Sequence, residues 1–177
     1  MERKLCLLRG INVGGKNIIK MSNLKLCFEK MGLLNVETYI QSGNVLFNSG
    51  KANSILTSML EKSLYAAFSY TEPLLVMSAK KLESIIASSP DGFGDNPELF
   101  RYDVIYMIKG MTTKKFAKIV VLKEGVDTMS VGKDAVYFSR LISKASKSQL
   151  SRIMNKPEYK SVTIRNWNTT LRLADKL

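Results

Sequence analysis

The chain has 177 residues, of which 45% are hydrophobic, so it can bury the core of one ordinary domain or of two small ones. Its 27 Lys and Arg against 15 Asp and Glu give a formal charge of +12, which favours anionic ligands and polyanionic partners. The absence of histidine excludes Ser-His and Cys-His nucleophiles and His-ligated metal sites, and with only two cysteines we expect neither a metal nor a cofactor.

The chain begins with a predicted strand at residues 3–9, a short apolar run. An amphipathic helix follows, with Ser22 as its predicted N-cap and Gly32 at its end. Its apolar positions repeat at the spacing of one helix face and are Leu24, Cys27, Phe28 and Met31.

The next elements complete a known supersecondary order. Residues 36–41 and 45–48 are β-rich and predict a hairpin. A second amphipathic helix begins at Asn53 or Ser54, and residues 73–78 predict another strand. The order is β-α-β-β-α-β, which is the ferredoxin-like arrangement.

The second half predicts the same order again, after a connecting helix at residues 79–87 and an acidic loop at residues 88–100. Its elements are strand 102–108, helix 112–121, strands 128–131 and 135–140, helix 147–154, strand 161–164 and a last helix at about 166–176. We therefore predict an α+β fold of two tandem ferredoxin-like (βαββαβ) halves packed together, with a C-terminal helix. The halves are residues 1–78 and 102–177, and residues 79–101 connect them.

No apolar run approaches the ~20 residues that a membrane helix needs. The N-terminus also lacks the small-residue cleavage site of a signal peptide. Cys6 and Cys27 fall in a predicted strand and on a predicted helix face, as small buried hydrophobic side chains do in a reducing compartment. We expect a cytoplasmic protein without a membrane partner, and the sequence leaves the oligomeric state open.

The sequence GINVGGKN at residues 10–17, here called the glycine loop, fits most of the phosphate-binding loop pattern. Its last residue is asparagine where that pattern needs Ser or Thr, and no helix begins at once, so a true phosphate-binding loop is not expected. Gly14 and Gly15 can still present backbone N–H groups to an anion, with Lys16 adding charge. The alternative is a glycine-permitted turn whose asparagines bond to the local backbone.

The sequence QSGN at residues 41–44 joins two predicted strands and is ordinary hairpin sequence. A hairpin turn of this fold can lie beside the loop that follows the first strand. We therefore formulate the hypothesis that the two loops form one polar cluster. Its members would be Arg9, Asn12, Lys16, Gln41 and Asn44.

The sequence RNWN at residues 165–168 stands at a predicted strand-to-helix junction and contains the only tryptophan. Asn166 or Asn168 is a candidate N-cap. Trp167 is either the packed lid of a core, with Arg165 in a salt bridge, or a stacking platform for a base, with Arg165 binding phosphate.

Positive charge is concentrated in residues 111–177, which hold fourteen Lys and Arg and five Asp and Glu. If Tyr102, Tyr106 and Tyr137 were exposed, they would resemble the aromatic pairs of an RNA-recognition sheet, and half-buried strand positions are the alternative. The stretch DGFGDNPE at residues 91–98 does not fit the spacing of a calcium loop and predicts a surface loop.

Three motifs occur together in this chain: LRGINVGGKN at residues 8–17, YIQSGN at 39–44 and TIRNWNT at 163–169. In combination they resemble the bacterial proteins grouped as domain-of-unknown-function family 1697. The likeness follows the order of elements along the whole chain and departs most at residues 88–101. The resemblance implies an α/β type of protein without an assigned reaction, so it indicates where a site lies and not what the site does.

The leading interpretation is a cytosolic protein that binds a phosphate-bearing ligand, a nucleotide or a nucleic acid through a basic cleft. One alternative is a small-molecule enzyme in the same cleft, with Lys16, Tyr39 or Cys6 as its acid-base or nucleophilic group. Another is a scaffold protein without a small ligand. No catalytic residue is assigned. The predicted ligand-binding residues are Arg9, Asn12, Gly14, Gly15, Lys16, Gln41, Asn44, Arg165, Asn166 and Trp167.

Overall fold

The computed structural model describes all residues except Lys16 and Lys109, and the side chain of Met154 is also outside the description. Lys16, a predicted ligand-binding residue, therefore lies outside the described residues. The chain divides into two compact units: Met1–Leu82 with Leu173–Leu177, and Glu83–Arg172. Within the described residues, no helix combines the length and the apolar character that crossing a membrane requires.

The first unit contains a four-stranded sheet and its helices. Its elements are β1 (Glu2–Leu8), α1 (Met21–Lys30), β2 (Leu34–Tyr39), β3 (Asn44–Ser49), α2 (Asn53–Phe68) and β4 (Leu74–Ser78), after which α3 (Ala79–Ala87) leads into the second unit. The strands lie in the order β2-β3-β1-β4, and β1 pairs antiparallel with both β3 and β4. This confirms the predicted ferredoxin-like order.

The core of the first unit follows from the alternation of the strands and the periodicity of the helices. Its buried side chains include Cys6, Leu8, Val45 and Phe47 from the central strands and Leu24, Phe28, Leu56, Leu60 and Leu64 from the helices. Phe28 packs edge-on against Phe47, with ring centroids 5.6 Å apart. Cys6 is fully buried and Cys27 is half-buried, and both are reduced thiols. Burial raises the pKa of the Cys27 thiol, which is therefore protonated at neutral pH.

The ends of α1 are predicted with unequal success. The helix begins at Met21 after an extended Lys20, so Ser22 lies inside the first turn and is not the N-cap. Gly32 follows the helix with φ of +76°, the left-handed conformation that ends many helices. The predicted end is thus confirmed, and the predicted cap is wrong.

Gly43 is required in the turn between β2 and β3. Its φ is +74°, and an added Cβ would lie 2.8 Å from Leu8 Cβ and 3.0 Å from Ile11 Cδ1, both in buried residues. We expect Gly43→Ala to lower the free energy of unfolding by about 2 kcal/mol, because backbone strain and steric overlap both have to be relieved. Urea unfolding followed by far-ultraviolet circular dichroism measures this loss.

Gly14→Ala is the matched control for Gly43→Ala. Gly14 also has a positive φ, of +59°, but an added Cβ would meet no atom within 4 Å. The control should therefore cost only the backbone term of about 1 kcal/mol. Equal losses in the two variants would contradict a close approach between the turn and β1.

The second unit repeats the arrangement of the first. Its elements are β5 (Phe100–Met107), α4 (Thr113–Ile119), β6 (Asp127–Val131), β7 (Ala135–Leu141), β8 (Val162–Asn166) and α5 (Trp167–Ala174). The strands lie in the order β6-β7-β5-β8, and β5 is antiparallel to both β7 and β8. The second sheet therefore has the same strand order as the first, as the repeated order of elements predicts.

The prediction of an α-helix at residues 147–154 is wrong. This connection forms three short 3₁₀ segments, which are Ile142–Lys147, Leu150–Asn155 and Pro157–Ser161. Ser148 is extended, and the N–H of the following Gln149 donates to the carboxylate of Asp127 at 2.8 Å. Pro157 favours an extended conformation in Lys156, the residue before it, and this interrupts the helical conformation a second time. These breaks prevent a continuous α-helix.

Both faces of the second sheet are covered. α4 and the second and third 3₁₀ segments pack on one face, where the buried side chains include Ile105, Phe116, Val136, Phe138, Leu150 and Ile153. On the other face, Tyr137 donates its hydroxyl to the carbonyl oxygen of Ile85, and the hydroxyls of Tyr106 and Thr170 are 2.8 Å apart. Burial raises the pKa of Tyr137 to about 12. Tyr102, Tyr106 and Tyr137 are all buried, so the interpretation as an exposed RNA-recognition sheet is wrong.

Candidate functional site

Asn12 connects the glycine loop to the hairpin turn of the first unit. Its amide nitrogen donates to the carbonyl oxygens of Ile19 at 3.0 Å and Gln41 at 3.1 Å, and its Oδ1 accepts the N–H of Ile19 at 2.9 Å. Its φ is +54°, a conformation that asparagine adopts more often than most residues. The loop and the turn therefore lie side by side, held by one asparagine side chain.

Other polar side chains of this cluster are also engaged within the first unit. Arg9 forms an ion pair with Glu72, and its backbone N–H and carbonyl oxygen both bond to the Tyr70 hydroxyl at 2.8 Å. Asn44 is fully buried and donates to the carbonyl oxygen of Tyr39 at 3.0 Å. These bonds anchor the loop and the hairpin turn within the first unit.

Gly14 and Gly15 form the exposed end of the glycine loop. Their φ values are +59° and +74°, and consecutive positive values are typical of a tight type I′ turn. Lys16, which would supply the charge of an anion site here, lies outside the described residues. The described geometry fits a glycine turn.

In the second unit, the RNWN sequence lies where β8 passes directly into α5. Asn166 caps the helix, because its Oδ1 accepts the N–H of Asn168 at 3.0 Å, and its amide nitrogen donates to the carbonyl oxygen of Tyr102 at 2.9 Å. Arg165 is buried and donates to Thr163 Oγ1 at 2.9 Å and to a backbone carbonyl of its own strand at 2.8 Å. Arg165 is thus held along β8.

Trp167 packs into an aromatic cluster with the acidic loop. Only 9% of the residue is exposed, and its ring is edge-on to Phe93 with centroids 5.1 Å apart. Phe93 also contacts the rings of Tyr102 at 4.9 Å and Tyr137 at 5.4 Å. The backbone of Gly94 passes against the indole, since an added Cβ would lie 2.3 Å from Nε1. Most of the acidic loop is exposed, as predicted, while its residues Phe93 and Gly94 are half-buried against this cluster.

A cleft of about 540 Å³ opens beside this cluster, at the end of the sheet where β5 begins and β7 and β8 end. It combines aromatic, amide and guanidinium groups. The lining residues that matter here are Phe100, Arg101, Arg140, Asn166, Trp167 and Asn168. Two of them, Asn166 and Trp167, are among the predicted ligand-binding residues.

Two arginines face each other across β5 and β7 at the cleft. Arg101 and Arg140 are paired in the strand register, so two like charges lie directly opposite each other. Asp103 is two residues further along β5 on the same face, and its carboxylate lies 3.6 Å from Arg101 Nε and 3.3 Å from Arg140 Nη2. One carboxylate lies within 4 Å of two guanidinium groups, so these three side chains together carry one excess positive charge, and the carboxylate residue Asp127 on β6 is paired with Arg140 on its other side.

Burial makes this arrangement of charged groups energetically unfavourable. Asp103 is only 3% exposed, and burial raises the pKa of its carboxyl group although both arginines favour the ionised form. Among the described atoms, the buried Nε of Arg140 has no hydrogen-bond partner. The described part of the chain holds no group of three or more His, Cys, Asp or Glu suited to a metal ion. The cleft therefore presents cationic donors, which fit an anion.

Arg101 and Arg140 are site residues that the sequence patterns do not reveal. No local motif joins them, because the register between β5 and β7 brings them together. The alternation Arg101-x-Asp103 is the one available signal, since it places opposite charges on one face of a predicted strand. That signal becomes informative once the partner strand is known.

Comparison with known proteins supports the fold and assigns no activity. A solved structure of a conserved bacterial protein from Streptococcus pneumoniae is similar to this chain, with a TM-score of 0.85 and 27% identity over 98% of this chain and 97% of that one. No curated protein matches the chain significantly. The family described as "Protein of unknown function (DUF1697)" matches residues 1–137. The chain therefore belongs to the DUF1697 family, as the resemblance of its motifs indicates.

Proposed function

We propose that the second unit binds a phosphate-bearing ligand, for which a nucleotide is the best fit, in the cleft beside Trp167. The observation that carries this proposal is the pair of Arg101 and Arg140, which lie opposite each other and share the buried carboxylate of Asp103 within 4 Å. A phosphate would neutralise the excess charge of Arg101, Asp103 and Arg140. It would also accept hydrogen bonds from both guanidinium groups, whose forked donors match phosphate geometry.

The remainder of the cleft fits the organic part of a nucleotide. Trp167 and Phe100 line it with aromatic surface on which a base can stack. Asn168 adds an amide in the first turn of α5, where the partial positive charge of the helix N-terminus also favours an anion. The volume of the cleft, about 540 Å³, falls within the ~300–1,000 Å³ of small-molecule sites.

In this proposal the glycine loop supports the fold and does not contact the ligand. Arg9, Asn12 and Asn44 are all bonded within the first unit. Of the groups considered for the enzyme alternative, Cys6 is fully buried, and the pKa of the other cysteine, Cys27, is raised by burial. We therefore propose ligand binding and assign no reaction.

The fluorescence of Trp167 provides the test, because this residue is the only tryptophan and it lines the cleft. We expect ATP, AMP and pyrophosphate to change its emission in a saturable way and to raise the midpoint of thermal unfolding. Arg140→Gln should weaken binding about tenfold or more, since hydrogen bonds to charged groups contribute roughly 1.5–3 kcal/mol. Isothermal titration checks the affinities independently.

Arg152→Gln is the matched control, because it removes the same charge from an exposed position of the same unit. Its affinity for ATP should stay within about twofold of the unmodified protein. The proposal fails if none of the three ligands changes emission or thermal stability at about 1 mM. It also fails if Arg140→Gln and Arg152→Gln weaken binding equally, because the effect would then follow net charge and not the cleft.

A further inference from the structure

Positive charge in the second unit is concentrated on the surface formed by α4 and the connection between β7 and β8. α4 and the second and third 3₁₀ segments pack on the same face of the sheet, and the first 3₁₀ segment precedes them in the same connection. We call the outer surface of α4 and of residues 142–161 the basic layer. Together they hold eight Lys and Arg and one acidic residue, Glu158. The whole second unit holds fifteen basic and nine acidic residues, so the rest of it has seven and eight. The entire positive excess of this unit therefore lies on the basic layer.

The cations of the basic layer are available to a partner. Seven of the eight are exposed: Lys114, Lys115, Lys118, Lys144, Lys147, Arg152 and Lys160. Across the described residues, none of these seven is ion-paired with a carboxylate. Their mutual repulsion is thus uncompensated within the unit, and a polyanion would relieve it.

The basic layer is also tied together before any partner binds. Lys156, its eighth cation, donates from Nζ to the carbonyl oxygen of Ile119 at the end of α4, at 2.7 Å. The carboxylate of Asp127 accepts the N–H of Lys123 at 3.0 Å and of Gln149 at 2.8 Å, which anchors the chain after α4 and the second half of the connection to β6. A partner therefore does not have to order this surface, which lowers the entropic cost of binding.

The basic layer is continuous with the proposed nucleotide cleft. Ile142 and Ala145, both in the first 3₁₀ segment, line the cleft. Lys144 and Lys147 belong to the same segment and are exposed. A polymeric ligand that placed one of its units in the cleft would therefore leave the cleft across a rim that is already positively charged.

We propose that the basic layer binds the phosphate backbone of single-stranded nucleic acid, one nucleotide of which occupies the cleft. This inference rests on the proposed nucleotide binding in the cleft. A cleft of this size admits an unstacked base, which a single strand offers and a duplex does not. An anionic membrane is the competing partner, because Val121 and Leu122 are exposed directly after α4. We favour nucleic acid because a lipid headgroup has no aromatic base that could stack on Trp167 and Phe100 in the cleft.

The test compares a double substitution in the basic layer with one of equal charge elsewhere. Lys114 and Lys118 are exposed on one face of α4, so Lys114→Gln with Lys118→Gln removes two cations that are outside the cleft. Lys62→Gln with Lys80→Gln removes two exposed cations from the first unit. The probe is a fluorescein-labelled single-stranded oligodeoxynucleotide of about 16 nucleotides, measured by anisotropy at several salt concentrations.

We expect the basic-layer variant to bind the oligonucleotide about tenfold more weakly at about 0.1 M salt. Its plot of log affinity against log salt should be less steep by about 1.4, which corresponds to two lost phosphate contacts. The first-unit variant should change the affinity by less than about twofold. ATP binding, followed by Trp167 fluorescence, should be unchanged in both variants.

Three results would overturn the inference, and they differ from the failure of the nucleotide proposal. One is ATP binding without tighter binding of the oligonucleotide. Another is an equal loss of oligonucleotide affinity in both double variants. The third is co-sedimentation with vesicles of about one-third phosphatidylserine together with no oligonucleotide binding, which would assign the surface to a membrane. Absence of ATP binding would instead reject the nucleotide proposal, and this inference with it.

Discussion

Gly94→Ala is expected to lower the free energy of unfolding of the second unit by about 3 kcal/mol and to displace Trp167. Gly94 has φ of +102°, and an added Cβ would lie 2.3 Å from Nε1 and 2.5 Å from Cδ1 of Trp167. The indole has little room to retreat, because it already packs edge-on against Phe93 at 5.1 Å. The loss therefore combines a strained backbone with poorer packing of a large aromatic side chain.

Urea unfolding followed by tryptophan fluorescence measures this loss, since Trp167 reports on the second unit alone. Gly92→Ala is the control, because Gly92 has φ of +76° but an added Cβ would lie 3.8 Å from its nearest neighbour, Asp95 Oδ2. The control should cost about 1 kcal/mol and leave the emission maximum unchanged. A Gly94→Ala variant with the same emission and stability as the control would contradict the described packing.

Gly94→Ala also tests whether Trp167 does more than fill the core. If the indole only packs, the variant loses stability and still binds ATP once it is folded at low temperature. If the indole forms the wall of the cleft, ATP affinity falls together with the emission shift. The second outcome is expected, because Trp167 lines the cleft and Gly94 determines where its ring lies.

Most of the fold is predictable because burial imposes a period on the sequence. The continuous apolar run of β1 and the apolar stripe of α1 both have to be buried, and the repeated order of elements then predicts both sheets. The connection at residues 147–154 is different. Its conformation depends on the carboxylate of Asp127, which captures the N–H of Gln149 from 22 positions away. A local pattern cannot contain that interaction.

The candidate site is predictable only in part, for a similar reason. Asn166 and Trp167 stand where a periodic strand meets a periodic helix, so their unusual side chains are conspicuous in the sequence. Arg101 and Arg140 become neighbours only through the register of β5 and β7. The glycine loop is conspicuous because an irregular loop needs polar side chains for its backbone groups, as Asn12 shows. The pattern of a single sequence does not distinguish polar side chains that bond to their own loop from polar side chains that bind a ligand.

Asp103→Asn is expected to raise the affinity of the cleft for phosphate-bearing ligands on the order of tenfold. Its carboxylate has two opposing effects, because it orients Arg101 and Arg140 and also neutralises half of their charge. An asparagine of the same shape keeps an acceptor for Arg140 and raises the summed charge of Arg101, Arg140 and residue 103 from +1 to +2. The side chain of Arg140 is only 19% exposed, so packing also restrains it. The gain in charge should therefore outweigh the loss in orientation.

The same substitution should not destabilise the second unit at neutral pH. Burial raises the pKa of Asp103, so the folded state holds this proton more tightly than the unfolded chain does. Ionisation therefore lowers the stability of the unmodified protein as pH rises from about 3.9 through the raised pKa. The variant lacks this loss. The free energy of unfolding of the variant minus that of the unmodified protein should increase across the interval and stay constant above it.

Pyrophosphate titration by Trp167 fluorescence and urea unfolding at several pH values separate the two effects. Weaker binding in the variant would show that orientation by the carboxylate dominates, and a stability difference that is independent of pH would contradict the charge argument. Adding Arg101→Gln to the variant returns the local charge to +1 and should return the affinity close to its original value. A purely steric effect of the asparagine would not be reversed in this way. Affinity would then follow the balance of one carboxylate against two guanidinium groups, and not the +12 of the whole chain.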